Sequence, residues 1–325
     1  ERMLCLLMLL RMPRTQIIYV SSAPIDPVII DYYLHLLPGI TGYHARQRLH
    51  LLSCYDMSPL SLTEKILQRP RLMVRIKQAI PAGHLAHMAC FNVTPAERSL
   101  AVKLGIPIYG CDPDLYHLGT KSNSRKLFRE SGLPLPDGLE DLGSMEEITE
   151  ALYILKERNP QIKRSIIKLN EGFGGEGNAI FSYAGAPELK SLRNWIRDHL
   201  QQQLKIVAQD LSFELYMQKF VEMKGIVEVF MEAPQKASPS VQCRINPLGK
   251  VEIISTHDQE LCGECDQVFT GAYFPASAAY NREIAQLGRR VAENLAAKGV
   301  IGRFAVDFLS VREENNWRHY AIEIN

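Results

Sequence analysis

The sequence predicts an α/β domain followed by a larger α+β body, and three observations carry that reading. Within the first 118 of the 325 residues, short apolar runs alternate with helical stretches, the order expected when helices cover a sheet. Beyond Gly110 the pattern changes to longer helices and neighbouring apolar runs split by brief polar turns, which suit antiparallel pairs. Between two of those runs lies a segment with glycines at 172, 174, 175 and 177.

The elements follow in order. The apolar run 3–10 is too short to span a bilayer. Arg11 follows it and no small-residue cleavage site does, so it reads as a buried helix rather than a signal segment. Strands are expected at 16–22, 71–76 and 106–109, with helices at 26–37 and 95–104. No GxGxxG follows any of these strands, so the dinucleotide fingerprint is missing. A basic helix opens at Thr120 and stops at Ser131-Gly132, ahead of Pro134. Further helices are expected at 144–158, 187–201, 203–223 and 277–298, the last ending at Lys298-Gly299. Strands are expected at 165–170, 226–231, 240–246, 250–256, 303–310 and 319–325. The chain begins at Glu1 without a Met and stops at Asn325 inside an alternating apolar run, so it reads as a piece of a longer protein.

Composition narrows the function classes. Hydrophobic residues make up 46% and charged residues 22%, a globular balance that excludes a disordered tail. A net charge of +1 offers no broad attraction to nucleic acid or to an anionic membrane, and neither is expected as a partner. Seven scattered cysteines form no disulfide framework, which favours a cytoplasmic or nuclear compartment. The pair Cys262-Gly-Glu-Cys265, with His257 upstream, lacks the second pair that tetrahedral zinc needs and reads as ordinary thiols.

Two segments carry chemistry. In Asn170-Glu-Gly-Phe-Gly-Gly-Glu-Gly-Asn178, the glycines Gly172, Gly174, Gly175 and Gly177 allow several backbone N–H groups to face one anion. The loop joins two strands and lacks the GKS/T ending of a P-loop, so a plain glycine-rich hairpin competes with a phosphate site. Lys168, on the strand before the loop, and Lys121, at the start of the basic helix, supply ammonium groups for a phosphate. At the end of the chain Asp307 sits in one apolar strand, while Glu323 and Asn325 share a face of another through the two-residue period. Three oxygen ligands on adjacent strands suit Mg2+, with solvated strand-end groups as the competing reading. Polyphosphate and Mg2+ together read as ATP chemistry.

The order of lysine helix, Lys168 strand, glycine loop, hinge strand and terminal acidic pair resembles the ATP-grasp superfamily of carboxylate–amine ligases. The resemblance rests on Gly119-Thr-Lys-Ser-Asn-Ser-Arg-Lys126, Lys168-Leu-Asn-Glu-Gly-Phe-Gly-Gly-Glu-Gly177, Ser238-Pro-Ser-Val-Gln-Cys-Arg244, Ser255-Thr-His-Asp-Gln259 and Ala321-Ile-Glu-Ile-Asn325. It is nearest to the pheganomycin-type peptide ligases and, within animals, to the family of IQ motif-containing protein H. It implies an α+β ATP-grasp fold of two lobes around a nucleotide cleft, preceded by a small Rossmann-like domain. The implied boundaries are 1–118 for the preceding domain, 119–225 for the N-terminal lobe and 226–325 for the C-terminal lobe, cut after the metal ligands.

The resemblance also implies roles. Lys121 and Lys168 contact ATP phosphates, with Lys126 an alternative for the first, and the loop 172–177 closes over them. Glu228 to Met231 form the hinge: Val229 and Met231 offer backbone groups to adenine, Phe230 lies between them, and Glu228 accepts from the amino group. Asp307, Glu323 and Asn325 hold magnesium, Arg244 lies near the acyl phosphate, and His257 and Asp258 line an acceptor pocket. The ribose-binding acid of relatives falls near Gln235-Lys236 here, with Glu232 a substitute. The basic patch Lys121, Arg125, Lys126 and Arg129 serves either ATP phosphates or an exposed helix face. The activity implied is an ATP- and Mg-dependent ligase of carboxylate and amine substrates, working through an acyl phosphate. The alternative is a non-catalytic, regulatory ATP-binding module of a larger scaffold that meets calmodulin through regions outside this chain.

Overall fold

The apolar run at the start of the chain folds as a 3-10 helix, Leu4–Arg11, and Leu4, Leu7 and Leu10 are its buried residues. Their spacing of three puts them on one edge, because a 3-10 helix turns once every three residues. The computed structural model describes residues 3–172, 177–208, 210–262, 268–314 and 316–325. The chain divides into two units, Glu1–Pro113 and Asp114–Asn325.

In the first unit β1 (Ile17–Ser21) and β2 (Leu49–Ser53) pair in parallel, Ile17 opposite Leu49. Around them lie α1 (Pro27–His35), α2 (Gly42–Arg46), α3 (Leu62–Leu67), α4 (Pro70–Gln78) and α5 (Pro95–Leu104). Alternation along β1 serves two cores: Ile17 and Tyr19 pack against Leu7, Ile30 and Leu34, while Ile18 and Val20 pack against Ile66, Leu72 and Leu100. The strand expected at 71–76 is instead α4, opened by Pro70 and burying Leu72 and Ile76 four residues apart. The partner of β1 is β2, which the sequence reading passed over. At 106–109 there is an isolated bridge, Met88 to Ile108.

The second unit has two antiparallel five-stranded sheets among the described residues. The first contains β3 (Gly138–Leu142), β4 (Arg164–Leu169), β5 (Asn178–Ser182), β6 (Leu204–Ile206) and β7 (Gly225–Val229), in the order β3-β7-β4-β5-β6. Helices α7 (Met145–Arg158), α8 (Leu189–Gln203) and α9 (Phe213–Met223) bury Leu152, Ile196 and Phe220 with Ile167, Phe181 and Val227 of the sheet. The helix expected at 203–223 is broken: β6 adds to the sheet edge, and α9 restarts at Ser212, whose hydroxyl caps Leu215 N–H.

The second sheet contains β8 (Lys236–Ile245), β9 (Val251–Cys262), β10 (Val268–Tyr273), β11 (Gly302–Glu313) and β12 (Asn316–Ile324), in the order β10-β9-β8-β11-β12. Helix α10 (Asn281–Ala297) packs on β8 and β9. Helix α6 (Lys121–Glu130) packs against β3 and β7 of one sheet and β12 of the other. It thereby carries its first residue to the region between them. Among the described residues no helix is long and apolar enough to cross a membrane.

Candidate functional site

Alternation on β4 turns Ile167 and Leu169 into the helix-covered core, leaving Ile166 and Lys168 on the other face. They line a cleft of about 400 Å³ to which both sheets of the second unit contribute. That volume is in the range of small-molecule sites. Its polar lining includes Lys121, Lys168, Glu228, Gln259, Asp307 and Glu323.

Asn170 fixes the two lysines relative to one another. Its backbone carbonyl accepts from Lys121 N at 3.2 Å, and its Oδ1 accepts from Ser122 N at 2.9 Å. Its Nδ2 donates to Met223 O at 3.1 Å. The first turn of α6, whose N–H groups have no partners within the helix, is thus fastened to the end of β4. In the sequence Asn170 is marked only by its place between Lys168 and the glycines.

Gly172 and Gly177 both line the cleft, and a Cβ on Gly172 would lie 3.3 Å from Gly177 Cα. The Tyr216 hydroxyl reaches the carbonyls of Ile167 and Gly177, at 3.2 and 3.3 Å, and anchors this end of the loop. Gly174 and Gly175 lie outside the described residues.

Lys168 Nζ lies 2.8 Å from Glu228 Oε2, and the other oxygen of Glu228 accepts from Arg125 Nη1. Burial pushes the Glu228 carboxyl up, yet the attraction of Lys168 and Arg125 outweighs burial and holds it below the usual range. The same contest runs at Glu323, where burial is overcome by Lys121, 3.1 Å away, and by Lys168.

Asp307 stands opposite Glu323 in the β11–β12 register, beside an irregularity that leaves Ile322 unmatched. Burial pushes Asp307 up to about 6, with hydrogen bonds from Ser240, Gln259 and Asn325 opposing it and the Glu323 charge reinforcing it. Asn325 Nδ2 donates to Asp307 at 2.7 Å and to Glu323 at 3.3 Å. Among the described residues no group of three His, Cys, Asp or Glu is placed to hold a metal. The available donor set is therefore two carboxylates with an adjacent amide. These are oxygen donors of the kind magnesium takes alongside phosphate oxygens. Turning the Asn325 amide would present its oxygen in place of its NH2.

Several expectations change. Glu228 is only 1% exposed and holds two cations, so its carboxylate is committed away from an adenine amino group. Val229, Phe230 and Met231 line the cleft, but Val229 N–H is taken by Asp137 O and Phe230 N–H by Arg164 O. Lys126 pairs with Asp141 at 2.6 Å and is not among the cleft residues; Lys121 is. Arg125, read as part of a phosphate-binding or exposed patch, is 1% exposed inside the protein.

Gln235 accepts from Arg312 at 3.1 Å and is not a lining residue, whereas Lys236 is. Glu232, the substitute, pairs with Arg164 at 2.9 Å. Arg244 lies four residues along β8 from Ser240, 3.9 Å from Glu252. His257 is opposite Ser240 and bonds to Ser255 at 2.8 Å. Asp258 accepts from Ser277 N and Tyr280 OH at 2.8 and 2.6 Å, so it secures the approach to α10 rather than an acceptor pocket. Cys265 lies outside the described residues.

Two antiparallel sheets flanking a lysine-lined cleft with carboxylates opposite form the architecture of the ATP-grasp class. Solved structures share the fold. The biotin carboxylase domain of Hydrogenobacter thermophilus 2-oxoglutarate carboxylase, in complex with MgADP, ADP and bicarbonate, matches with a TM-score of 0.61 at 15% identity, covering 99% of this chain and 61% of that one. Campylobacter jejuni biotin carboxylase in complex with β-γ-ATP matches with a TM-score of 0.59 at 16% identity, covering 99% and 62%.

The family model described as IQCH-like, ATP-grasp matches residues 113–205 and 183–324, and the chain belongs to that family. L-propargylglycine–L-glutamate ligase of Streptantibioticus cattleyicolor is 28% identical over 338 positions, covering all of this chain. IQ motif-containing protein H of Danio rerio is 24% identical over 354 positions, covering 94% of this chain. The chain spans 65% of the length of the first relative and 33% of the second.

Proposed function

We propose that the chain carries the site of an ATP- and magnesium-dependent carboxylate–amine ligase that works through an acyl phosphate. The observation that carries this reading is the convergence of Lys121, Lys168, Asp307 and Glu323 in one cleft. Two ammonium groups for a polyphosphate face two carboxylates for its cation. In this reading 1–118 precedes the grasp, 119–225 is its N-terminal lobe and 226–325 its C-terminal lobe. The glycine loop covers the phosphates, and the apolar surface of Ile166, Phe230, Met231 and Leu309 takes the adenine.

A substrate carboxylate oxygen attacks the γ-phosphorus of ATP, and the bond to the β-phosphate oxygen breaks to give acyl phosphate and ADP. An amine then attacks the acyl carbon, the acyl C–O bond breaks with its oxygen and electron pair leaving as inorganic phosphate, and the nitrogen loses a proton as the amide forms. Lys121 and Lys168 neutralise charge on the transferring group and hold it in line, which is where such sites gain their rate. Asp307, Glu323 and Asn325 would hold magnesium, which supplies Lewis-acid neutralisation of phosphate oxygens. Arg244 serves the acyl phosphate, and His257 borders the acceptor. The substrates in the Streptantibioticus relative's name support amino acids as the source of both carboxylate and amine.

Release of ADP and phosphate that requires both a carboxylate and an amine is the expected result. A regulatory ATP-binding module is the second reading. It is favoured by Gln235 and Lys236 at the place where an acid would hold ribose, and its calmodulin contact would lie outside this chain. ATP binding without release from any amino-acid pair would support that reading over the ligase.

A further inference from the structure

Arg125 heads the largest fully buried side chains among the described residues, and the ligase reading gives it no task. Its guanidinium is held on three sides. Nε donates to Glu140 at 3.2 Å, Nη2 to Pro136 O at 3.0 Å, and Nη1 to Glu228 Oε1. Arg129 Nη2 in turn donates to Glu140 at 2.6 Å. Gly138 leaves room for the group: a Cβ there would lie 2.9 Å from Arg125 Nη2 and 2.6 Å from Val227 O.

Glu228 therefore carries one cation on each oxygen, and the two cations differ in freedom. Arg125 is a planar fork locked by three partners, whereas Lys168 is a point charge on a flexible stem at the cleft wall. A phosphate entering the cleft competes with Glu228 for Lys168. If Lys168 were the sole partner, its departure would strand a buried carboxylate, costing on the order of a hundredfold in the equilibrium. With Arg125 in place the carboxylate stays paired.

We propose that Arg125 is a positioning residue for nucleotide binding: it keeps Glu228 paired when Lys168 leaves that carboxylate for a phosphate. The proposal rests on the nucleotide reading of the cleft. Glu228 becomes the resting station of Lys168, and Arg125 makes the exchange cheap.

Calorimetric titration of MgATP into the full chain tests it. R125M is expected to raise the Kd at least about tenfold, because Lys168 is then retained by Glu228. The double variant R125M/E228Q removes the carboxylate and should return the Kd to within about threefold of wild type, since breaking a pair costs more than removing both members. A Kd unchanged in R125M, or a double variant as weak as R125M, overturns the proposal. Should R125M fail to fold, E228Q and R125M/E228Q are compared. Equal affinities within about threefold support the proposal, and a loss of about tenfold or more in the double variant overturns it. Failure of the wild type to bind MgATP would instead overturn the nucleotide reading, and the proposal with it.

Discussion

Lys121 Nζ lies 3.1 Å from Glu323 Oε2, joining the first residue of α6 to β12. A prospective phosphate ligand and a prospective metal ligand thus hold each other across the cleft. Their separation by MgATP would exchange one ion pair for two new ones. Glu323→Gln keeps the shape but removes a charge from the metal donors. It is expected to raise the magnesium concentration needed for half-maximal ATP turnover at least about tenfold. A magnesium titration at saturating ATP checks this, and an unchanged midpoint would count against the metal site.

Lys168→Ala should cut ATP turnover by about a hundredfold or more, the scale on which loss of a preorganised electrostatic group acts. The fold should survive, because Arg125 still pairs with Glu228. Turnover and melting temperature measured together separate the two effects. Normal turnover would sink the assignment.

Asn170→Ala removes the acceptor of Ser122 N–H and the donor to Met223 O. Leaving these groups without their partners is expected to cost about 1–3 kcal/mol of stability. Because Lys121 is placed through the same residue, the KM for ATP should rise as well. Denaturant unfolding and initial-rate kinetics read the two parts.

His319 is buried, with Nδ1 2.6 Å from Ser310 Oγ and Nε2 3.3 Å from Glu283. Burial lowers its pKa more than Glu283 restores it. The unfolded chain therefore binds this proton more readily, so the stability it contributes is present above about pH 6.5 and is lost as pH falls. His319→Gln does not titrate. Its melting temperature should fall less between pH 7.5 and 5.5 than that of wild type, and parallel profiles would contradict the argument. At pH 7.5 the variant should be about 1–2 kcal/mol less stable through loss of the Ser310 bond.

The sequence revealed most where a local rule had one answer. The two-residue period put Glu323 and Asn325 on one face; in the structure Asn325 bonds to Asp307 and Glu323 stands opposite it. Leu4, Leu7 and Leu10 were readable as a buried helix, though not as its 3-10 form. The 71–76 segment misled because an apolar run after proline suits either element; Leu72 and Ile76, four residues apart, mark the helix. β3, β6 and β10 were missed, all of them short strands at the edges of their sheets. Arg125 was illegible for a different reason. A basic residue on a basic helix looks solvated until β3 and β7 bring Glu140 and Glu228 to it. The partners of Asn170 were hidden likewise, since they lie on α6 and α9, far along the chain.

The most direct test is a crystal structure of the full chain with magnesium and a non-hydrolysable ATP analogue, read as the Lys168–Glu228 distance, now 2.8 Å. The account expects Lys168 and Lys121 within hydrogen-bond reach of phosphate oxygens and magnesium on Asp307 and Glu323. Glu228 should then be left to Arg125, with Lys168 beyond about 3.5 Å from it. A nucleotide bound elsewhere, or one in the cleft with Lys168 still seated on Glu228, would contradict it.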